Sequence, residues 1–440
     1  MPADATTQER LPVRTEVKLG EDSFLSDDFL RQLIDVGEVD ILIGVPTHNN
    51  AETIGPVLQA IQAGILRSFP RERAVIINAD GGSRDGTPES VANASIDDVR
   101  RAPNLYTLRT LHAISTRYAN TPSSGTALRT ILAAAELLRA KACALISPES
   151  SQLDPDSVAN LLRPIYRQGI DLVLPTYRRH KFDGLLVTNL LYPMTRALYG
   201  MRIREPYPSD YAFSGTWASQ FLAQNSWTEE LRGTFPEIAF TLAAVTAKTG
   251  IQQTYLGERD RVERRSADLV PALRRTVGVL FACLQQDFAF WSGRTGSQPL
   301  PTTGPEQDFD IEPLRINRKR LYEMYVRGIG ELESVFHSIL TAETLGKLQQ
   351  IAGLREEEFQ YPADLWVRTV YEFAASYYKS VINRDHIVQA LAPLFRGRAF
   401  TFVSENRNTT AGQVADSIEN LCLEFEKQKP YLLELWKSKP

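Results

Sequence analysis

The chain has 440 residues, of which 43% are hydrophobic and 23% charged, and its formal net charge is -4. That is an ordinary globular composition, too long for a single compact domain, so two units are expected and a disordered or fibrous chain is excluded. Mild acidity offers no bulk attraction to nucleic acid or to an acidic membrane surface, so any anionic substrate has to be held by a local basic patch.

Residues 1–35 read as an N-terminal extension and helix. Met1 to Arg14 is polar and mixed in charge, without the apolar centre of a secretory signal. No apolar run approaches the ~18 to 20 residues of a membrane-spanning helix. Cys143, Cys283 and Cys422 lie far apart, fit no metal-ligand spacing and are too few for a disulfide framework. A soluble cytoplasmic protein is therefore expected.

From residue 36 onward, short β-rich runs alternate with helical patterns, which predicts an α/β domain with a mostly parallel sheet over 36–292. Val39 to Val45 reads as a buried strand, broken at 46–50, and Ile54, Val57, Leu58, Ile61 and Ile65 then recur at helical spacing. Ala74 to Asn78 is a second strand running into the turn-rich DGGSRDGT, 80–87, before a short helix over Pro88 to Ser95. Gly125 to Ala140 is rich in the strong helix formers Ala and Leu and feeds a strand at Ala142 to Ile146. Asp154 and Pro155 form a capping start for a helix to Gln168, followed by a strand at Ile170 to Leu174. Leu185 to Tyr199 and Glu237 to Lys248 look helical, Ile251 to Leu256 looks like a strand, and Leu269 to Phe290 like one long helix. Gly293 to Pro305 is dense in Gly, Pro, Ser and Thr and reads as a linker. Beyond it, 306–440 shows helical periodicity around Tyr322 to Leu340, Leu365 to Ile382 and Ala415 to Lys427, an α-helical C-terminal domain. Phe336, Leu340, Trp366 and Tyr378 fit a core or an oligomer face there.

In an open parallel sheet, ligands bind beyond the carboxyl ends of the strands, so residues just after each strand carry the information. PTHNNAE at 46–52 lacks the G-x-G-x-x-G that a dinucleotide pyrophosphate needs, which argues against a Rossmann dehydrogenase. Asp80, followed by Gly81, Gly82 and Gly86, is either a plain strand-to-helix turn or an acceptor for a ribose hydroxyl or base N–H. His48 touches the nucleotide or satisfies the turn. Arg178, Arg179, His180 and Lys181 either hold an anionic acceptor or pair structurally with Asp183 and Glu205. His112, His337 and His386 have no partner that the sequence names.

VDILIGVPTHNNAETIGPVLQAI followed by VIINADGGSRDGT resembles the amino half of family 2-type glycosyltransferases with the GT-A fold, which bind a sugar nucleotide. YRRHKFDGLLVTNLLYPMTRALYGMRIREPYPSDYAFSG, 177–215, resembles bacterial enzymes related to mannosylglycerate and glucosylglycerate synthases. The resemblance covers roughly 35–290, with PLFRGRAFTFV, 393–403, as a weaker echo. It implies a GT-A-type, Rossmann-like sheet with a C-terminal α-helical region, and hexose transfer from a nucleotide sugar to a small hydroxy acid with retention. Pro46, Thr47, His48, Glu52, Asp80, Gly82, Ser83 and Gly125 would face the nucleotide sugar, and Arg178 to Lys181 a glycerate-type acceptor. A homo-oligomer is also implied.

The sequence departs from those relatives where they hold negative charge. Their Asp-x-Asp, which fixes Mg²⁺ or Mn²⁺, matches Ser147, Pro148 and Glu149, and their metal-binding histidine matches Asp260. Glu149 with Asp260 is a candidate metal pair; alternatively Arg259, Arg261, Arg264 and Arg265 meet the diphosphate with no metal, or form a solvated loop. Their Gly-Lys-Gly turn matches Ser123, Ser124 and Gly125, and their Gly-Gly-Asp loop matches Pro208, Ser209 and Asp210. Asp210 and Glu237 remain as candidate catalytic acids. Deleting one preorganised charge-stabilising donor costs ~10²- to 10³-fold in rate, so a catalytically inert paralogue that binds a sugar nucleotide or a partner is the second expectation. A nucleotidyltransferase on a related sheet ranks last.

Overall fold

A computed structural model of the chain describes residues 25–94, 111–117, 124–150, 153–224, 237–258, 269–304 and 316–438. The amino part contains α1 (Asp27–Val36), β1 (Ile41–Thr47), α2 (Ala51–Ser68), β2 (Ala74–Asp80), α3 (Thr87–Ala94), β3 (His112–Arg117), α4 (Ser124–Leu137), β4 (Ala142–Leu145), α5 (Pro155–Gln168) and β5 (Leu172–Arg178). After a π-helical stretch, Val187–Leu191, come α6 (Tyr192–Tyr199), β6 (Tyr211–Ser214), α7 (Gly215–Ala223), α8 (Glu237–Thr246) and β7 (Ile251–Glu258). Then follow α9 (Leu269–Leu273), a second π-helical stretch, α10 (Val279–Gln286), α11 (Phe288–Trp291) and the edge strand β8 (Thr302–Thr303). The C-terminal helices are α12 (Arg318–Glu331), α13 (Glu333–Ile339), α14 (Ala342–Ala352), α15 (Ala363–Lys379), α16 (Arg384–Glu405) and α17 (Ala411–Lys437).

The strands form one eight-stranded sheet in the order β3-β2-β1-β4-β6-β5-β7-β8. All neighbours are parallel except β6, which runs antiparallel to both β4 and β5. β1 and β2 are continuous apolar runs because both their faces are covered, as parallel strands require. Ile41, Ile43 and Val45 point to the face covered by α2 and α5; Leu42 points to the other, which α4 covers. Gly44 permits α4 to lie this close, since a Cβ there would come within 2.5 Å of the Ile131 side chain. This is the mostly parallel α/β sheet with a C-terminal helical region that the sequence predicts.

Several elements differ from the sequence reading. β3 and β6 lack a long apolar run, and both owe their strand character to pairing with a buried neighbour. The stretch 269–290 is a chain of short segments interrupted by a π turn at Arg274–Gly278. Residues 293–304 pack along the sheet edge: Gln298 exchanges backbone hydrogen bonds with Gly200 and Arg202, the Gln253 amide donates to the Pro301 carbonyl, and Thr302–Thr303 pairs with β7.

The C-terminal helices share one apolar core with the sheet part, joining Leu190, Met194 and Leu198 to Trp366, Leu391, Leu421 and Trp436. Phe336, Leu340 and Trp366 lie in that core, and Tyr378 stacks on Trp436 at 4.3 Å. Where α17 crosses α6, Arg196 is wholly buried. Its guanidinium donates to both oxygens of Glu419 at 2.5 and 2.7 Å, and its Nε donates to Glu426 at 2.9 Å. The Lys429 ammonium donates to the carbonyl of Arg294 at 2.8 Å and to those of Ala197 and Leu198, satisfying carbonyls in the last turn of α6.

Candidate functional site

The chain leaves β1 toward β2 on one side and returns to β4 on the other, so the topological switch point lies between β1 and β4, and the crevice opens beyond their carboxyl ends. β6, running backwards, begins at the same edge, which places Asp210 and Tyr211 beside the end of β4.

On the β1–β2 side, Asp80 anchors the turn. Its carboxylate accepts from the Thr47 hydroxyl at 2.9 Å, the Gly82 and Ser83 amides at 2.9 and 2.8 Å, and the Ser83 hydroxyl at 2.5 Å. These bonds fill the lone pairs of a carboxylate, and Asp80 is only 2% exposed. The Asn49 amide donates to the Ser83 hydroxyl, the Asn50 amide to the Thr87 hydroxyl, and the Ala51 amide to Asp85, so the 46–52 loop and the 80–87 turn form one laced unit. The Thr87 hydroxyl and the Ala51 amide hold the Asp85 carboxyl below its usual range. His48 and Glu52 are exposed on this loop, and Pro46 is half-buried in β1. Gly82 has φ +87, and a Cβ there would come within 2.9 Å of the Arg117 guanidinium. Arg117, at the end of β3, is thus an exposed cation lying over the glycine turn. Sequence reading missed it because β3 itself was not legible.

On the β4–β6 side, Asp210 is the centre of a second knot and is 3% exposed. One oxygen accepts from the Ser147 amide and the Ser150 hydroxyl, both at 2.9 Å. The other accepts from the Tyr177 hydroxyl at 2.8 Å, with the Ser150 and Ser209 hydroxyls at 3.1 and 3.2 Å. Loop 147–150, the end of β5 and the start of β6 therefore meet at one carboxylate. Glu149 is half-buried, its amide donating to the Ser147 hydroxyl at 3.3 Å.

Glu237, at the first turn of α8, contrasts with both aspartates. It is buried, and its Oε2 has no hydrogen-bond partner among the described residues. Burial pushes its carboxyl up to about 8, so near neutral pH it is an uncharged O–H donor. Tyr211 follows Asp210 directly, and its buried hydroxyl also lacks a partner among the described residues. Burial, and next the nearby Glu237, raise that phenol well above its usual range. The Tyr211 ring packs against Phe240 of α8, with centroids 5.7 Å apart. Orphaned buried polar atoms are rare in native proteins, and these two lie on adjoining elements of the strand-end face. The only sequence signal for Tyr211 was its place after a candidate acid.

The basic stretch after β5 is tied into the fold. Arg179 pairs with Glu205 at 2.5 Å, both side chains mostly buried, and lies over the Tyr177 ring. Gly184, at φ +65, leaves room for that guanidinium, since a Cβ would come within 2.5 Å of it. His180 Nδ1 accepts from the Phe182 amide at 3.2 Å. The Lys181 ammonium donates to the carbonyls of Arg407 and Thr409 at 2.9 and 3.0 Å, reaching the end of α16. Arg178 ends β5. Gly125 is buried at the start of α4, remote in chain from the other knots. Asp260, with Arg259, Arg261, Arg264 and Arg265, and Ser123 lie outside the described residues.

Among the described residues, no group of three or more His, Cys, Asp or Glu side chains could hold a metal ion. At the end of β4 the described carboxylates are Glu149 and an Asp210 whose lone pairs are taken, so Asp210 does not fit as a ligand to a resident divalent cation. No described helix is long and apolar enough to cross a membrane.

No family model matches the chain, and no curated protein does. Among solved structures it is similar to glucosyl-3-phosphoglycerate synthase from Mycobacterium tuberculosis in complex with Mn²⁺, uridine diphosphate and glucosyl-3-phosphoglycerate. There the identity is 21% and the TM-score 0.42, over 56% of this chain and 80% of that one. For that enzyme with Mn²⁺, UDP-glucose and phosphoglyceric acid, the values are 19% and 0.42, over 58% and 83%. With Mg²⁺ and uridine diphosphate they are 18% and 0.42, over 58% and 83%. A likeness this distant carries no argument about activity, which has to come from the side chains.

Proposed function

We propose that this protein is a GT-A-type glycosyltransferase that moves a hexose from a nucleotide sugar to a small, anionic hydroxy-acid acceptor, with retention at the anomeric carbon. The observation that carries the reading is the pair of Glu237 and Tyr211, buried without partners among the described residues, with Tyr211 next in sequence to the Asp210 knot at the switch-point edge of the sheet. A protonated carboxyl and a phenol are both donors, and two buried donors without acceptors are suited to hydroxyl or glycosidic oxygens of a bound sugar. In this reading the laced loops at 46–52 and 80–87 supply the nucleoside face through backbone and exposed side chains such as His48, while Asp80 keeps the turn in shape. Asp210 acts on the loops around it, and Glu237 touches the sugar.

A second reading, an inert paralogue that binds a sugar nucleotide or a partner, draws support from the basic stretch. Arg179 is occupied by Glu205 and Lys181 by carbonyls, which leaves fewer cations for an acceptor. Incubation with labelled nucleotide hexoses and three-carbon hydroxy acids separates the two; UDP-glucose and phosphoglycerate, ligands of the solved mycobacterial enzyme, are the first probes. Transfer that falls in a Glu237→Gln variant supports the enzyme. Saturable binding without transfer favours the inert reading, and no binding of any nucleotide hexose contradicts the transferase proposal.

A further inference from the structure

The loop after β4 carries Ser147, Pro148 and Glu149 where the resemblance places two metal-binding aspartates. Its backbone is nevertheless fixed, and the anchor is Asp210. The Ser147 amide and Ser150 hydroxyl reach one oxygen of that carboxylate at 2.9 Å each, while Tyr177 at 2.8 Å and Ser209 at 3.2 Å reach the other. A carboxylate has about four lone-pair sites, so this one has no free direction to offer a cation. Mg²⁺ keeps near-octahedral oxygen geometry and is usually held by one or two carboxylates with phosphate and water; to use Asp210 it would have to displace hydroxyl donors in a buried knot.

The donor composition of the knot points the same way. The Ser147 amide and the Ser150, Tyr177 and Ser209 hydroxyls are donors arranged around an anion, and a metal site needs the reverse, acceptors arranged around a cation. With Ser147 and Ser150 on the loop itself, the knot performs the positioning that a metal bridge between loop and substrate would otherwise supply.

We propose, resting on the nucleotide-sugar reading above, that Asp210 and its ring of amide and hydroxyl donors take the place of a cation at the end of β4, holding loop 147–150 in its binding shape so that the nucleotide sugar binds without a divalent metal. Asp210 is then a positioning residue.

The test is calorimetric titration of the full-length chain with a panel of uridine-, guanosine- and adenosine-diphosphate hexoses, once in EDTA and once in Mn²⁺ or Mg²⁺. The expected result is one nucleotide hexose that binds in both buffers with dissociation constants within about twofold of each other. Tightening by metal of about tenfold or more, roughly 1.4 kcal/mol, overturns the proposal and leaves the transferase reading standing. Failure of every nucleotide hexose in both buffers overturns the proposal together with the reading beneath it. Titration with Mn²⁺ alone, followed by its paramagnetic resonance signal, gives an independent readout. Wild type is expected to leave the free-ion signal unchanged, and the Ser150→Ala/Tyr177→Phe variant, which opens lone pairs on both oxygens of Asp210, is expected to diminish it. Stoichiometric uptake of Mn²⁺ by wild type overturns the proposal whether or not the double variant folds.

Discussion

The contact between α6 and α17 and the strand-end face both bury charge, and they treat it differently. At the helical contact, Arg196 is matched by Glu419 and Glu426. Nearby in the helical layer, Glu372 accepts from the Thr341 amide and hydroxyl, the Thr344 and Tyr431 hydroxyls and Arg368. On the strand-end face Asp80 and Asp210 are equally well supplied, yet Glu237 Oε2 and the Tyr211 hydroxyl have no partner among the described residues. Asn189 Oδ1, Trp217 Nε1, Thr241 Oγ1 and Arg398 Nε are also buried without a partner among the described residues, but Glu237 and Tyr211 are set apart by adjoining each other at the strand-end face. For a carboxyl and a phenol that adjoin at the strand-end face, a ligand is the physical explanation to test.

The largest expected effect breaks the paired side of this contrast. Arg196→Ala removes the cation between two partly buried glutamates, and breaking a buried pair in this way costs roughly 3 to 5 kcal/mol. Chemical denaturation measures the loss, and a change within about 0.5 kcal/mol, the range of a surface substitution, would show that α17 is not held by this pair. Asp210→Asn comes next. It turns one acceptor oxygen into a donor facing other donors, with an expected destabilisation of about 1 to 3 kcal/mol and weakened nucleotide-sugar binding in EDTA. Unchanged binding would remove Asp210 from the account of the loop.

The unpaired side gives a pH signature. Glu237 has a folded value of about 8 against an ordinary value of 4.5, so between those pH values the folded chain holds a proton that the unfolded chain has released. Its contribution to stability is therefore full below about pH 4.5 and declines as pH rises toward about 8, by at most ~1.4 kcal/mol per pH unit. Glu237→Gln should flatten that slope in unfolding experiments across pH 5 to 8, and an unaltered slope would mean that the carboxyl is not buried uncharged. The smallest effect belongs to Lys429. Burial and then Arg294 lower its ammonium to about 8 from 10.5, so stability should rise slightly as pH passes from about 8 to 10.5, and Lys429→Met should remove that rise. A falling profile in wild type would contradict the packing seen at the end of α6.

The sequence made the sheet legible where strands are buried on both faces. Ile41–Thr47 and Ala74–Asp80 announce themselves as apolar runs followed by turn residues, and the capped start of α5 at Asp154 and Pro155 is local chemistry. β3 and β6 were not legible, because a short run such as YAFS becomes a strand only through its neighbours. The two knots were half legible. Asp80 and Asp210 stood out as acids in turn-rich segments, but the donors that surround Asp210 come from three separated stretches of chain. The bonds from Lys181 to the carbonyls of Arg407 and Thr409 span more than two hundred residues, a pairing that no local pattern encodes. Arg179 with Glu205 is the reverse case, a pairing readable in advance as one of two uses for the basic stretch.

The central claim is that the empty pair on the strand-end face serves a bound sugar. It is tested most directly by measuring hexose transfer and unfolding stability side by side in wild type and Glu237→Gln at pH 8. The account predicts stability equal to or above wild type together with transfer lower by ~10²-fold or more, as for loss of a preorganised group in an active site. Transfer at the wild-type rate in a stable variant would contradict it.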